Sequence, residues 1–338
     1  MLEANPVLSI VIIAKNEEKY IKFCLESLIK DTKDLGSEII LVDSRSVDRT
    51  IEIASQYPIK IAVIDKRHKT TAALGRLIGT QLAKADLIFF IDADQILMSG
   101  WLEKAMSVLR SSDLIAGVTG NMEEGVVNTD GVFSYLRKLN YFEDRYVNNI
   151  AIAKTMSGIG IFKKQILKDV AGYDPFMWAY EDQELFLRLE QAGFLVAWSS
   201  GIMSRHLEDT RRLRENLRRL YQSYYIGSGQ LLRRSIQNKL FFKSIKLLIA
   251  HPIEYSIWIF LGIFCLLFSY SNYLNLFFIW CVVTIIGLVA FSIKVKDPDF
   301  FLVYLMTIFS SAIGMAIGFF ILPRFKENIK WDYTVIKE

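Results

Sequence analysis

The sequence Phe-Phe-Ile-Asp-Ala-Asp at residues 89–94 decides the predicted fold, because an apolar run ends there in two carboxylates that flank one alanine. If the run is a buried strand that emerges at a sheet edge, Asp92 and Asp94 lie on the same side of the backbone, since strand side chains alternate. Two carboxylates side by side repel each other unless a cation lies between them. A hard divalent ion that carries a diphosphate is the natural occupant; the alternative is a pair of turn caps.

Strand-like and helical segments alternate around this stretch. Apolar runs rich in branched residues predict four strands, at residues 8–13, 38–42, 60–64 and 87–91. The segments of helical period between them predict three helices, at residues 17–30, 48–56 and 70–84. This alternation with short links predicts an α/β fold with a mostly parallel sheet covered by helices. Ligands of such sheets bind beyond the carboxyl ends of the strands.

Polar residues collect at three of these strand ends, at 16–18, 43–46 and 92–94. Three strand ends that direct functional groups to one edge are what a nucleotide site requires. The chain lacks a Gly-x-Gly-x-x-Gly fingerprint and a Walker A loop, which argues against a dinucleotide enzyme and a P-loop kinase.

A second acidic cluster follows farther along the chain. Glu181 and Asp182 stand in the opening turn of a predicted helix that runs to Gly193, a residue type that commonly ends helices. Acidic residues there often only complement the helix dipole, but they also suit a general base in a partly desolvated pocket. Spacing alone does not separate the two carboxylates. His206, after a predicted strand at 194–198, is either a packing residue or a third metal ligand.

The motifs of residues 7–207 resemble, in order, those of the inverting family 2 glycosyltransferases of GT-A fold. The matching segments are 9–18, 42–50, the run from Arg76 to Asp94, and the Glu181-Asp182 pair with Leu185 and Arg188. The resemblance implies a GT-A nucleotide-diphospho-sugar transferase fold, a nucleotide-sugar donor, and Mn²⁺ or Mg²⁺ as cofactor.

The resemblance also implies roles for matching residues. On the donor side, Ala14 and Glu17 would line the nucleoside pocket, Asp43 would hydrogen-bond the base, and Arg76 would lie near ribose or phosphate. Asp92 would contact the ribose side of the donor.

The metal and the base follow from the same resemblance. Asp94 would bind the metal at the diphosphate, with His206 and Asp92 completing the set. Asp182, with Glu181 beside it, would be the base that deprotonates the acceptor hydroxyl.

Two loops depart from the usual family pattern. Asp43-Ser44-Arg45-Ser46 stands where many relatives have Asp-Asp-Gly-Ser, and Lys66-Arg67-His68-Lys69 replaces a commoner Gly-Lys pattern. The departures leave the choice of nucleotide and sugar open.

The last third of the chain is strongly apolar. Hydrophobic residues make up 52% of the sequence, the mean hydropathy is +0.28, and residues 255–293 and 300–323 contain no charge. A helix crosses a bilayer with about 20 apolar residues, so the pattern predicts three transmembrane helices at 253–271, 274–293 and 300–322. The predicted organisation is a catalytic domain (1–210), basic amphipathic juxtamembrane helices (211–252), the spans (253–322) and a polar tail (323–338).

Residues 205–246 are rich in Arg and Lys, with Leu213, Leu217, Leu220, Tyr221 and Tyr224 at helical spacing among them. This pattern predicts a helix that lies in an anionic membrane interface. Because predicted spans follow it directly, we expect no nucleic-acid partner. The positive charges and the three cysteines without disulfide spacing predict an integral protein of the cell or inner membrane with a cytoplasmic catalytic domain.

Gly314 and Gly318 form a small-residue face in the third predicted span. Such a face lets two helices approach closely. It is predicted to pack either on the first two spans or on a second protomer, in a homodimer.

The leading hypothesis is therefore a membrane-bound glycosyltransferase that moves a sugar to a lipid-linked glycan acceptor. One alternative is a polyprenyl-phosphate glycosyltransferase similar to the dolichol-phosphate-mannose synthases. The other is a catalytically silent glycosyltransferase-like scaffold, against which the intact Asp92, Asp94 and Asp182 argue.

Overall fold

The computed structural model describes residues 5–127, 133–139, 142–147, 150–207, 225–248, 252–268, 274–295, 298–320 and 331–338. The chain divides into two compact units. The first comprises Met1–Met177, Glu181–Glu208 and Arg324–Glu338, and the second comprises Trp178–Tyr180 and Asp209–Pro323.

The first unit begins with the predicted alternation of strands and helices. The elements are β1 (Leu8–Ala14), α1 (Ile21–Thr32), β2 (Ser37–Asp43), α2 (Thr50–Ala54), β3 (Lys60–Ile64), α3 (Ala72–Leu82) and β4 (Leu87–Asp92). The strands pair in the order β3-β2-β1-β4, and all three pairs are parallel. The prediction of a parallel sheet is correct for this half of the unit.

Each face of the parallel sheet carries its own hydrophobic core, which explains why β1 reads as a continuous apolar run. Ile10 and Ile12 pack into the core that contains buried residues of α1, whereas Val11 packs into the other with residues of α3. Helix α3 approaches β1 closely because residue 79 is glycine: a Cβ there would lie 2.1 Å from Val11 Cγ1.

The rest of the sheet is mixed, so the expectation of a mostly parallel sheet is wrong beyond β4. The elements are β5 (Gln95–Leu97), α4 (Trp101–Arg110), β6 (Ile115–Val127), β7 (Phe133–Leu139), β8 (Phe142–Val147), β9 (Ile150–Ala153), β10 (Gly160–Lys163), α5 (Lys164–Asp169), α6 (Glu181–Gln191) and β11 (Leu195–Leu207). The order continues β4-β10-β6-β11-β9-β8, with β10 antiparallel to both neighbours. Antiparallel neighbours need no crossover helix, so strand and helix no longer alternate here.

The predicted polar tail contains a strand. Strand β12 (Tyr333–Lys337) pairs antiparallel with β3 at the edge of the sheet, with Tyr333 opposite Ile64. Trp331, just before the strand, is 9% exposed and belongs to one of the two cores. The end of the chain is therefore part of the first unit.

The second unit is helical. It contains α7 (Ile226–Gln237), α8 (Phe241–Leu248), α9 (Pro252–Phe268), α10 (Leu274–Val295) and α11 (Pro298–Phe320). Leu213, Leu217, Leu220, Tyr221 and Tyr224 of the predicted interfacial helix lie outside the described residues. Arg205 and His206, which began that basic segment, belong to strand β11 instead.

Helices α9, α10 and α11 occur where the three membrane spans were predicted. Across the ranges that the structure describes, no helix has both the length and the hydropathy needed to cross a membrane. The three predicted transmembrane helices are therefore not supported.

Gly314 and Gly318 pack against the start of α7 and not on the first two predicted spans, and the predicted second protomer stays a prediction. A Cβ at Gly318 would lie 2.0 Å from the carbonyl oxygen of Ile226, and one at Gly314 would lie 2.6 Å from the backbone of Tyr225. On the opposite side of the contact, a Cβ at Gly229 would lie 2.0 Å from the Met315 carbonyl oxygen. Glycines on both helices thus allow the two backbones to touch.

Candidate active site

The ends of β1, β2 and β4 bring three predicted site residues to one edge of the sheet. Ala14 is in register with Asp43, and Ile13 is in register with Asp92. Beyond the strands, the Ser44 amide donates to the Ala14 carbonyl at 2.8 Å. The carboxyl ends of parallel strands meet as the sequence predicts.

The loops after β1 and β2 are locked to each other by side-chain hydrogen bonds. The Asn16 amide donates to Ser46 Oγ at 2.8 Å, and the Val47 amide donates to Asn16 Oδ1 at 2.9 Å. The Glu17 amide donates to Thr50 Oγ1 at 2.8 Å. Asn16 has a φ of 60°, a conformation that asparagine tolerates better than most residues. This edge is therefore preorganised.

Asp43 is fully buried inside this pair of loops. Its two carboxylate oxygens accept hydrogen bonds from the Ser46 amide at 2.7 Å and the Ser46 hydroxyl at 2.6 Å. Burial raises the pKa of Asp43, and the bonds from Ser46 oppose that rise. Asp43 thus shapes the loop to which the family resemblance gives base recognition.

Two lysines at the same edge were not predicted as site residues. Lys15 Nζ donates to Thr70 Oγ1 at 3.3 Å, and the pKa of Lys69 is lowered by burial and by the nearby charge of Lys15. Two cations held close together favour an anion between or beside them. Lys15 lies inside the matched segment 9–18, which is the signal that could have identified it.

Arg76 links two predicted site regions from inside the protein. Its side chain is 3% exposed, and its Nη2 donates to Asp92 Oδ1 at 2.8 Å while its Nη1 donates to Glu181 Oε1 at 2.7 Å. Its Nε donates to the Gly158 carbonyl at 3.1 Å, and the guanidinium lies 5.5 Å from the centre of the Tyr173 ring. Arg76 therefore joins the end of β4 to the start of α6.

Asp182 lies in the first turn of α6, next to Glu181, but its surroundings differ. Glu181 is buried and paired with Arg76, whereas half-buried Asp182 accepts a hydrogen bond from the Gln183 amide at 2.9 Å. Burial raises the pKa of Asp182 to about 8, helped by the charge of Glu181 and opposed by Arg76. Adjacent carboxylates with different environments are typical of acid–base sites.

The predicted metal ligands Asp94 and His206 are in contact. His206 Nε2 lies 3.1 Å from Asp94 Oδ2, and Nδ1 lies 3.8 Å from Glu124 Oε1. Burial lowers the pKa of His206, but the hydrogen bonds and charges of Asp94 and Glu124 outweigh it and raise the pKa to about 10. Glu124, on β6, was not singled out from the sequence.

The third predicted ligand, Asp92, is held by Arg76 rather than by His206. No group of three or more His, Cys, Asp or Glu side chains in the described ranges is arranged to hold a metal ion by itself. Asp94 Oδ1, however, is buried without a hydrogen-bond partner among the described residues. A carboxylate oxygen without a hydrogen-bond partner, beside an imidazole, fits Mn²⁺ or Mg²⁺. Mg²⁺ usually binds one or two carboxylates and completes its coordination shell with water and substrate phosphates.

Cys24 of α1 lies beneath these carboxylates. Its Sγ is 3.7 Å from the carbonyl oxygen of Asp92, and its pKa is raised by burial and by the charges of Asp94, Asp92 and Glu17. The charges of Glu17, Asp92 and Asp94 therefore all act on the same buried thiol. A thiol with a raised pKa in this setting is chemically inert.

Comparison with known proteins gives one family match, which lies within the first unit. Residues 9–171 match the family described as Glycosyl transferase family 2. This match spans slightly less than half of the chain.

Individual relatives are distant. An uncharacterized glycosyltransferase of Haemophilus influenzae is 25% identical over 187 residues, which cover 55% of this chain and 62% of that protein. Glycosyltransferase GlyG of Streptococcus pneumoniae is 28% identical over 162 residues, covering 45% of this chain and 50% of GlyG. The matches to these two relatives thus span less than two thirds of their lengths.

A solved structure shares the fold. TarS 1–349 of S. aureus in complex with UDP-GlcNAc superposes with a TM-score of 0.50 at 17% identity, covering 68% of this chain and 72% of that one. The predicted GT-A-like nucleotide-sugar transferase fold is supported, as a mixed α/β sheet.

Proposed function

We propose that this protein is a glycosyltransferase that moves a sugar, with inversion at the anomeric carbon, from a nucleoside-diphosphate sugar to an acceptor hydroxyl. The observation that carries the proposal is the difference between Glu181 and Asp182. Arg76 neutralises Glu181 at 2.7 Å, and the neighbouring Asp182 keeps a pKa near 8. A carboxylate whose pKa is raised toward neutral pH is suited to accept a proton from an attacking hydroxyl.

The donor would bind over the interlocked loops after β1 and β2. Ala14, Glu17 and Asp43 would form the nucleoside end, and Asp92 would face the ribose. Arg76 would act through Asp92, since its guanidinium already binds that carboxylate at 2.8 Å. The UDP-GlcNAc bound by the fold relative TarS supports a nucleotide sugar as the donor class.

Asp182 would act on the acceptor. As the hydroxyl oxygen attacks the anomeric carbon, its proton passes to Asp182, and the bond from that carbon to the diphosphate oxygen breaks on the opposite face. Attack in line with the leaving group inverts the configuration. Glu181 keeps Arg76 and the first turn of α6 in place, because the buried pair joins that turn to β4.

Mn²⁺ or Mg²⁺ belongs to this proposal, with Asp94 and His206 as its protein ligands and Asp92 beside them. When bound, the ion would stabilise the charge that develops on the diphosphate. For His206 to bind it, the imidazole must release the proton that Asp94 and Glu124 now stabilise.

We propose a lipid-linked glycan as the acceptor, because a glycan hydroxyl needs a base. A phosphate monoester is already anionic at neutral pH, since its second pKa is about 6, so polyprenyl phosphate would need Asp182 less. A membrane acceptor and a cytoplasmic catalytic unit are supported by the uncharged segments 255–293 and 300–323 and by exposed apolar side chains such as Leu267 and Phe278, which are 69% and 68% exposed.

A donor screen tests the proposal. Purified full-length protein is given Mn²⁺ or Mg²⁺, a lipid extract and a panel of nucleotide sugars that begins with UDP-GlcNAc, and release of nucleoside diphosphate is measured. Release from one donor that disappears in Asp182→Asn would support a transferase. Binding of a nucleotide without release from any donor would favour the silent scaffold, and transfer to polyprenyl phosphate would favour the alternative acceptor.

A further inference from the structure

The two loops that depart from the family pattern contact each other. Arg45, in the loop after β2, donates from Nη2 to the carbonyl oxygen of His68, in the loop after β3, at 3.2 Å. Arg45 has a φ of 63°, a backbone conformation that residues other than glycine rarely adopt. Surrounding contacts must hold it. The departures at residues 45 and 66–69 are therefore one structural feature.

The C-terminal segment (residues 331–337) holds the second of these loops. The Asp65 amide donates to the Asp332 carbonyl at 3.0 Å, and the Asp332 amide donates to His68 Nε2 at 3.1 Å. Arg67 Nη2 lies 3.1 Å from Asp332 Oδ2. Asp332 thus engages three residues of the loop with its amide, its carbonyl and its carboxylate.

Both ends of the C-terminal segment are anchored in the first unit. At its start, the Trp331 ring packs against His68 with centroids 5.0 Å apart and against Phe176 with centroids 5.5 Å apart. At its other end, Lys337 Nζ donates to the Ser55 carbonyl at 2.6 Å. Between these ends, strand β12 pairs with β3. This pairing and the contacts of Trp331 are what can hold the loop in one position.

The loop that it holds borders the donor edge. It continues into Lys69 and Thr70, where Lys15 Nζ donates to Thr70 Oγ1 at 3.3 Å, and its partner Arg45 lies two residues after buried Asp43. A shift of residues 65–68 would therefore be transmitted both to the cations at this edge and to the loop that carries Asp43.

We propose that the C-terminal segment is a positioning element of the donor site, which orders residues 43–46 and 65–69 before the nucleotide sugar binds. Asp332 and Trp331 do not touch the donor; they act through His68, Arg67 and Arg45. Ordering a loop in advance strengthens binding by reducing the entropy lost on association. The inference rests on the proposed function, because it takes these loops to bind the donor.

The test compares Asp332→Ala and Trp331→Ala with Lys337→Ala in the full-length protein. Lys337→Ala is the matched control, since it removes an anchor at the far end of the segment and leaves the loop contacts intact. Amide hydrogen exchange of residues 43–46 and 65–69 is measured together with KM and kcat for the donor that the screen identifies.

We expect the two loops to exchange about tenfold faster in Asp332→Ala and Trp331→Ala, the donor KM to rise about tenfold, and kcat to stay within about twofold. Lys337→Ala should leave exchange in both loops and KM unchanged. Asp332→Asn should restore most of the affinity, because its amide oxygen can still accept from Arg67.

Unchanged loop exchange in both Asp332→Ala and Trp331→Ala would overturn the inference, and so would faster exchange with an unaltered KM. A drop in kcat as large as the rise in KM would overturn it too. Failure of the proposed function is distinguishable, because it would show as absence of transfer by the wild-type protein itself, whereas loop exchange is measured without any donor.

Discussion

Arg76 donates from Nη1 to Glu181 Oε1 at 2.7 Å, and this bond distinguishes two adjacent carboxylates that spacing alone does not separate. Glu181 is the buried counter-ion of an arginine. Asp182, one residue later, has no hydrogen bond from a cation within the described part of the chain, and the charge of Glu181 adds to the rise of its pKa. Burial is the largest cause of the raised pKa of Asp182, and the charge of Arg76 opposes it.

Asp182→Asn should lower the transfer rate about 10³-fold or more while donor affinity stays within about threefold, because the base acts on the acceptor. Single-turnover rates and equilibrium donor binding measure the two effects. Glu181→Gln is the matched control: it should destabilise the fold by roughly 1–3 kcal/mol through the weakened Arg76 pair. Donor affinity that falls as far as transfer in Asp182→Asn would contradict the assignment of the base.

Activity should rise with pH up to about 8 and then level off. The free protein keeps Asp182 protonated below its pKa of about 8, and a protonated carboxyl cannot accept the hydroxyl proton. Each pH unit below the pKa leaves about tenfold less of the base form, so kcat/KM at pH 6 should be about 100-fold lower than at pH 9. A pH–rate profile of kcat/KM checks this. A profile that is flat between pH 6 and 9 would exclude Asp182 as the rate-determining base.

Asp94→Ala should abolish the dependence of donor binding on divalent metal. The substitution removes the buried Oδ1 that lacks a partner and the Oδ2 that lies 3.1 Å from His206. Donor titrations with and without Mn²⁺ measure the effect. Glu123→Gln is the control, because it removes a nearby carboxylate that is paired with Arg205 at 2.9 Å. Mn²⁺ dependence that survives in Asp94→Ala would rule out a metal role for this residue.

Gly318→Ala should destabilise the helical unit, since its Cβ would lie 2.0 Å from the Ile226 carbonyl oxygen and force α7 and α11 apart. We expect an overpacking cost of about 1–3 kcal/mol, seen as a lower thermal transition of the full-length protein. Gly287→Ala in α10 is the opposite case, because nothing lies within 4 Å of its Cβ position. Alanine is the better helix former by about 1 kcal/mol, so this variant should be neutral or stabilised. Equal transitions for the two variants would show that the close contact is absent.

The parallel half of the sheet was predictable because its information is local. Strand β3 occupies residues 60–64 as predicted, β1 and β4 are longer than predicted by one residue at one end, and β2 is longer by one residue at each end. Their side chains are buried on both faces, which produces uninterrupted runs of branched residues. The carboxylates that follow those runs were found for the same reason.

The rest of the sheet and the arrangement of the candidate site depend on contacts between residues that are distant in sequence. Arg76 binds Asp92 16 positions away and Glu181 105 positions away, and no local pattern distinguishes such an arginine from one that binds substrate. Strand β12 lies in the segment predicted as a polar tail, and its partner, β3, is reached only in the folded chain. His206 was placed beside Asp94 by the family resemblance, whereas Glu124 behind it carries no local signal.

The pairing of β12 with β3 constrains the path of the chain through any bilayer. Strand β11 and strand β12 belong to the same hydrogen-bonded sheet, so the end of β11 and the start of β12 must lie on the same side of any bilayer. A chain that starts and ends on the same side of a bilayer crosses it an even number of times. Three complete crossings between these two strands are therefore incompatible with the pairing of β12 and β3.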